Sequence, residues 1–113
     1  MAANQHFSTE PALAGKTCLV TGASRGLGVA IAQRLAQAGA RVAVHYRQAA
    51  DAAETLCAEL TAMGATALPF QADLLDAGAA ERLVATVTAQ LGPIDVLVNN
   101  VGPYVDTPFL DLP

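Results

Sequence analysis

The chain has 113 residues, 53% of them hydrophobic, with ten acidic and six basic side chains and a formal net charge of −4. A length of this order holds one domain at most, and the hydrophobic content excludes a disordered chain. The acidic balance argues against a nucleic-acid or anionic-membrane surface, so neither is expected as a partner.

The polar leader "MAANQHFSTEPALA" (residues 1–14) has no apolar core of the kind a signal peptide needs, and is expected to be a flexible tail. "KTCLV" (16–20) is short, apolar and β-branched, which predicts a buried strand. "GLGVAIAQRLAQA" (26–38) carries Leu27, Ile31 and Leu35 at i, i+4 and i+8, a helix face that Gly39 ends. "RVAVHY" (41–46) predicts a second strand. "DAAETLCAELTAMG" (51–64) predicts a second helix, with Ala53, Leu56, Leu60 and Met63 on its face. "ATALPF" (65–70) predicts a third strand, which Pro69 assigns to an edge. "DAGAAERLVATVTAQLG" (76–92) predicts a third helix, with Asp76 as N-cap and Val84, Val87 and Leu91 buried. "IDVLVNN" (94–100) predicts a fourth strand.

This alternation predicts an α/β fold, a doubly wound parallel sheet with right-handed crossovers, whose first two helices share one face and whose third lies on the other. Residues 18–20 and 96–98 read as central strands, apolar on both faces. After Asn100, "VGPYVDTPFLDLP" has three prolines and no period. The chain therefore reads as a partial sheet, residues 15–113, truncated after its fourth strand, which would leave a sheet face and a strand edge uncovered. Cys18 and Cys57, without a C-x-x-C spacing, read as buried free thiols of a reducing compartment, and the protein as cytoplasmic. His45 has no companion ligand outside the leader, so no metal site is expected.

"VTGASRGLG" (20–28) sits where the first strand turns into the first helix. There the helix's first N–H groups lack internal partners and its dipole is positive, which suits an anion, and glycine lets a phosphate approach the main chain. A Walker A loop is excluded: the "GKT" at 15–17 has Glu10 at the required upstream glycine position and a strand after it. A merely structural turn needs one glycine or two. The third reading is a dinucleotide pyrophosphate on the first strand-to-helix turn, although the spacing Gly22-x-x-x-Gly26-x-Gly28 departs from G-x-G-x-x-G.

Here the sequence resembles the short-chain dehydrogenase/reductase family, which carries T-G-x-x-x-G-x-G after its first strand and N-N-A-G after its fourth. The chain has "TGASRGLG" at 21–28, "AD" at 72–73 after the third strand, and "NNVG" at 99–102, with valine for the usual alanine. The resemblance covers residue 16 to the C-terminus but only the first half of a typical member. It implies a Rossmann-like fold and a phosphate cradle of Gly22, Ser24, Arg25, Gly26, Leu27 and Gly28. Asp73 would accept from the adenine amino group with the Leu74 N–H nearby, unless it serves as a loop cap. Asn100, Val101 and Gly102 would lie along the cofactor ribose, while Asn99 ties strand ends together and Asp95 is structural. A small-molecule carbonyl or alcohol substrate and, for a full-length chain, a homo-oligomer are also implied.

An NAD site places a carboxylate about 20 residues past the glycine loop to hold the ribose 2′-OH. No acid occurs between Gly28 and Asp51. Instead Arg47 stands where a 2′-phosphate would be, and Arg25 can reach it from the loop, which favours NADP(H) over NAD(H) through forked, charge-assisted bonds. The alternative for Arg47 is an ordinary solvated arginine. His45 and Tyr46 are placed beside the adenine. Family members use a tyrosine acid/base with a lysine four residues on, aided by a serine. Here Tyr46 is followed four residues later by Ala50 and Tyr104 by Pro108, and Lys16 is the only lysine. No catalytic residue is therefore assigned. The reading is the cofactor-binding half of an NADP(H)-dependent oxidoreductase, against a non-catalytic dinucleotide-binding module or a structural domain whose loop binds nothing.

Overall fold

A computed structural model describes residues 12–100. Its elements are β1 (Thr17–Val20), α1 (Leu27–Gln37), β2 (Arg41–Tyr46), α2 (Ala50–Ala62), β3 (Ala67–Gln71), α3 (Ala79–Leu91) and β4 (Val96–Val98). The four strands form one parallel sheet in the order β3-β2-β1-β4. The register aligns Val20 with both Val44 and Val98, so the strands' carboxyl ends meet along one edge of the sheet. The order reverses between β1 and β4, and a crevice between carboxyl ends at such a reversal is where doubly wound sheets take ligands.

Side-chain alternation along β1 and β2 divides the core into two layers. Cys18, Val20, Val42 and Val44 point to one face, where Ala32 and Ala36 of α1 and Leu56 and Leu60 of α2 cover them. Leu19 and Ala43 point to the other, where Leu83, Val87 and Leu91 of α3 cover them. This is the two-plus-one distribution of helices that the chain order predicts. Pro69 lies on edge strand β3, where its missing N–H costs no interior ladder bond.

Several expectations about packing and capping are corrected. In α1 the buried row is Gly28, Ala32 and Ala36, while Leu27 is exposed and Ile31 and Leu35 are half-buried. Small side chains let α1 approach the sheet closely, and the longer ones flank that contact. In α2 Met63 is exposed and Cys57 is buried in its place. In α3 Leu83 is buried and Val84 exposed, and the N-cap is Gly78 in the left-handed region rather than Asp76, whose carbonyl accepts from the Ala79 N–H at 3.2 Å. Finally, β4 is an edge strand of this sheet rather than a central one. Leu13, assigned to the tail, packs on the core beside α1 and its N–H donates to the Ala38 carbonyl at 2.7 Å.

The amino ends of the strands are tied by a polar cluster around the buried Thr17. Its N–H donates to Asp95 Oδ2 at 2.9 Å, its carbonyl accepts from the Asp95 N–H at 2.8 Å, and its hydroxyl donates to the Leu91 carbonyl at 3.0 Å. Arg41 Nε donates to the same hydroxyl at 3.2 Å. Asp95 is thus structural, as expected. Cys18 and Cys57 are free and buried. Burial, with Glu54 adding to it, pushes the Cys57 thiol up to about 11, and burial and then Asp95 raise Cys18.

Candidate functional site

The segment between β1 and α1 divides sharply into anchored and unpaired backbone. Thr21 N–H donates to the Val98 carbonyl at 3.0 Å, Gly22 N–H to His45 Nδ1 at 2.9 Å, and Ala23 N–H to the His45 carbonyl at 2.9 Å. From Ser24 onward this stops. The N–H groups of Ser24, Arg25, Gly26, Leu27 and Gly28 donate to no described residue. No side chain caps α1, its N-cap Gly26 has φ 62 and ψ −136, and no acid stands in its first turn. Adjacent unpaired donors on a positive helix end form a receptor for an anion.

Two glycines are demanded here for different reasons. Gly26 adopts a positive φ with open space where a Cβ would stand. Its backbone is in a region that side chains avoid, and no described residue fills the volume in front of it. Gly28 has an ordinary φ but no room: a Cβ would collide with the Gly22 carbonyl oxygen and stand 2.8 Å from Ala23 Cα and 2.9 Å from Asn100 Nδ2. The helix is thereby pressed directly onto the loop. Gly22 also has a positive φ, 62, at the start of the turn.

The other motif residues gather at the same sheet edge. Asn100 Nδ2 donates to the Gly22 carbonyl at 3.3 Å and its N–H donates to Thr21 Oγ1 at 2.8 Å. The Thr21 hydroxyl reaches Asn99 Oδ1 at 3.1 Å. Asn99 therefore ties strand ends as expected, and Asn100, assigned to the ribose, also holds the glycine loop in place. Tyr46 is half-buried at the end of β2, its carbonyl accepting from the Ala72 N–H at 3.1 Å. Arg25 and Arg47 are exposed, and neither guanidinium has a partner among the described residues. Ser24 is half-buried, and its hydroxyl bonds no described residue.

Asp73 Oδ1 accepts from the Leu75 N–H at 3.1 Å, a loop-closing bond that leaves Oδ2 without a described partner. Leu74 packs its side chain on the α3 layer. Val101 and Gly102, together with Tyr104, lie outside the described residues. A separate cleft of about 260 Å³ opens between β3 and α3, sharing Ala72 and Asp73 with the motif edge and lined further by Phe70 and Arg82.

His45 is the correction of most consequence. It does not flank an adenine site. Its ring is 2% exposed, bonded to Gly22 through Nδ1 and to the Ala72 carbonyl through Nε2 at 2.9 Å. The alternation of β2 already pointed it inward, opposite Val44, and a buried polar group at a strand end signals a bonded role.

Among the described residues no cluster of three metal-ligating side chains occurs and no helix is long and apolar enough to cross a membrane. A model of the short chain dehydrogenase family matches residues 16–113. A 3-oxoacyl-[acyl-carrier-protein] reductase of Synechocystis is 44% identical over 96 residues, which cover 85% of this chain and 39% of that one. Among solved structures, a short chain dehydrogenase of Burkholderia cenocepacia in complex with NADP superposes with TM-score 0.80 at 43% identity, covering 90% of this chain and 42% of that one. A blue fluorescent protein from a metagenomic library, in complex with NADPH, gives TM-score 0.79 at 42% identity over the same shares. The chain thus spans about two fifths of each of these relatives. With this sheet order and the motifs at the carboxyl ends of β1, β3 and β4, the chain belongs to the short-chain dehydrogenase/reductase family.

Proposed function

We propose that this chain supplies the dinucleotide-binding part of an NADP(H)-dependent oxidoreductase that transfers hydride between a carbonyl and an alcohol. The observation that carries the reading is the run of N–H groups from Ser24 to Gly28 that find no partner among the described residues, at an uncapped helix start. Those groups, with the Ser24 hydroxyl, hold the pyrophosphate, while Gly26 keeps the space before them open and Gly28 lets α1 sit against the loop. Asp73 Oδ2 receives the adenine amino group, with Leu74 beside it. Asn100, Val101 and Gly102 are assigned to the cofactor ribose. The nicotinamide, when bound, supplies the hydride.

Arg47 and Arg25 clamp the 2′-phosphate. Both guanidinium groups are exposed and unpaired among the described residues, and no carboxylate stands between Gly28 and Asp51 to hold a bare ribose. The relatives solved with NADP and NADPH agree with this choice. The chain has no catalytic tyrosine–lysine pair, because Lys16 is its only lysine, so the acid/base step falls to residues outside it. The substrate is a small molecule, the working assembly a homo-oligomer, and the buried reduced thiols suit the cytoplasm.

The test is a calorimetric titration of NADPH and NADH at one fixed salt concentration, with wild type and Arg47→Ala. A 2′-phosphate carries roughly −2 charge, and bonds to charged groups are worth about 1.5–3 kcal/mol each before solvent screening. Wild type is expected to prefer NADPH by about ten- to a thousandfold. Arg47→Ala should lose most of that preference with NADH nearly unchanged. Equal affinities in wild type, or equal losses in the variant, would remove Arg47 from the 2′-phosphate site.

A further inference from the structure

His45 joins two loops that its own strand does not contain. On one side lies Gly22, the first glycine of the β1–α1 turn; on the other lies Ala72, next to Asp73 in the β3–α3 loop. The chemistry of the two contacts fixes the ring completely. The Gly22 N–H can only donate, so Nδ1 carries no proton; the Ala72 carbonyl can only accept, so Nε2 carries one. Only the neutral ring with its proton on Nε2 satisfies both neighbours. The His45 carbonyl takes the next N–H of the turn, that of Ala23. One residue of β2 therefore consumes the last two N–H groups before the unpaired run begins at Ser24.

We infer that His45 is the positioning residue of the glycine loop: its Nδ1 holds the Gly22 N–H inward, so that the following N–H groups turn outward to a dinucleotide's phosphates, and the bond to Ala72 serves to fix the tautomer. The inference rests on the dinucleotide reading for its effect on affinity, but the anchor itself is observable without any ligand. Nothing else among the described residues accepts the Gly22 N–H. Without an acceptor there, the cheapest escape for a part-buried donor is to rotate the peptide toward water, which redirects the turn.

Two amides separate the two contacts. The amide oxygen of Asn stands one bond from Cγ, as Nδ1 does, so His45→Asn keeps an acceptor for Gly22. The amide nitrogen of Gln stands one bond from Cδ, near the place of Nε2, so His45→Gln keeps a donor for Ala72 but not the acceptor for Gly22. His45→Leu keeps neither.

The experiment measures hydrogen exchange at the Gly22 amide by NMR, and NADPH affinity by calorimetry, in wild type and the three variants, with melting confirming that each is folded. The Gly22 amide should exchange slowly in wild type and Asn, and at least about tenfold faster in Gln and Leu, the factor expected when a hydrogen bond worth about 1.4 kcal/mol is lost. NADPH affinity should follow the same order, Asn within about threefold of wild type and Gln about ten- to a hundredfold weaker. Should Leu fail to fold, the Asn–Gln comparison decides alone. Wild-type exchange in Gln, or equal behaviour of Asn and Gln, overturns the assignment. A wild type that binds neither NADPH nor NADH while Gly22 exchange keeps the stated order sinks the functional reading and leaves the loop anchor standing.

Discussion

Gly26 and Gly28 stand two residues apart and resist substitution for opposite reasons. At Gly26 the space is open and the dihedrals forbid a side chain; at Gly28 the dihedrals are ordinary and the Gly22 carbonyl fills the space. Gly26→Ala should therefore cost about 1–3 kcal/mol of backbone strain and leave the loop's contacts in place. Gly28→Ala must part α1 from the loop, and the displaced neighbour is backbone, so we expect a loss at the upper end of the about 1–3 kcal/mol typical of overpacking. Chemical denaturation of both variants gives the ranking; a Gly28→Ala protein as stable as wild type would contradict the packing. His45 gives a second prediction at this scale. Burial holds its pKa below the usual 6.5, with the Ala72 carbonyl pulling weakly the other way. The unfolded chain then takes up a proton near 6.5 that the folded ring refuses. Stability should fall as pH drops through 6.5 and level off once the folded ring protonates too. His45→Asn should show a flatter profile over that window in thermal melts; an identical slope would mean that another group dominates.

β1 and β4 are tied to each other at both ends by side chains, and the amino-end tie makes its own prediction. Asp95 and Thr17 exchange bonds across β1 and β4, with Thr17 fully buried. Asp95→Ala leaves the Thr17 N–H without its acceptor, a loss of about 1–3 kcal/mol, while Asp95→Asn keeps an oxygen there and should recover most of it. Urea midpoints of the two variants decide the matter. The same strands show what the sequence could and could not convey. β2 is legible to the residue, because Arg41–Tyr46 is a short β-branched run between Gly39 and Arg47, buried through its middle four residues. Helix faces are less legible. Leu27 and Val84 each have apolar neighbours at helical spacing, yet Gly28 and Leu83, one residue away, take the buried places. In alanine-rich helices a one-residue rotation changes hydrophobicity little, and the backbone's closest approach to the sheet decides the face. The partners of His45 are illegible for another reason: they lie 23 and 27 residues away in sequence and meet it only when three parallel strands end in register.

The whole molecule is a sheet covered unequally. α1 and α2 lie over one face, and among the described residues α3 alone covers the other. One row of the register measures the shortfall. Ala43 pairs with Leu19 and Leu19 with Leu97, three side chains on the α3 face. Ala43 is 0% exposed and Leu19 2%, but Leu97 is 61% exposed. α3 therefore shields β2 and β1 and does not reach across β4. Among the described residues β4 also has no strand on its outer side, so an apolar residue and a row of unpaired backbone groups coincide at one edge. Such edges recruit further chains. The 113-residue chain prepared alone should self-associate through β4, with mass measured by light scattering rising with concentration. Leu97→Lys puts a charge beside that edge without touching the buried layers, and should shift the population toward monomer while leaving the melting temperature nearly unchanged. Wild type that stays monomeric across the concentration range would show that the edge is covered. Association undiminished in Leu97→Lys would move the contact to another surface, and the exposed Val84 on α3 is the next to substitute.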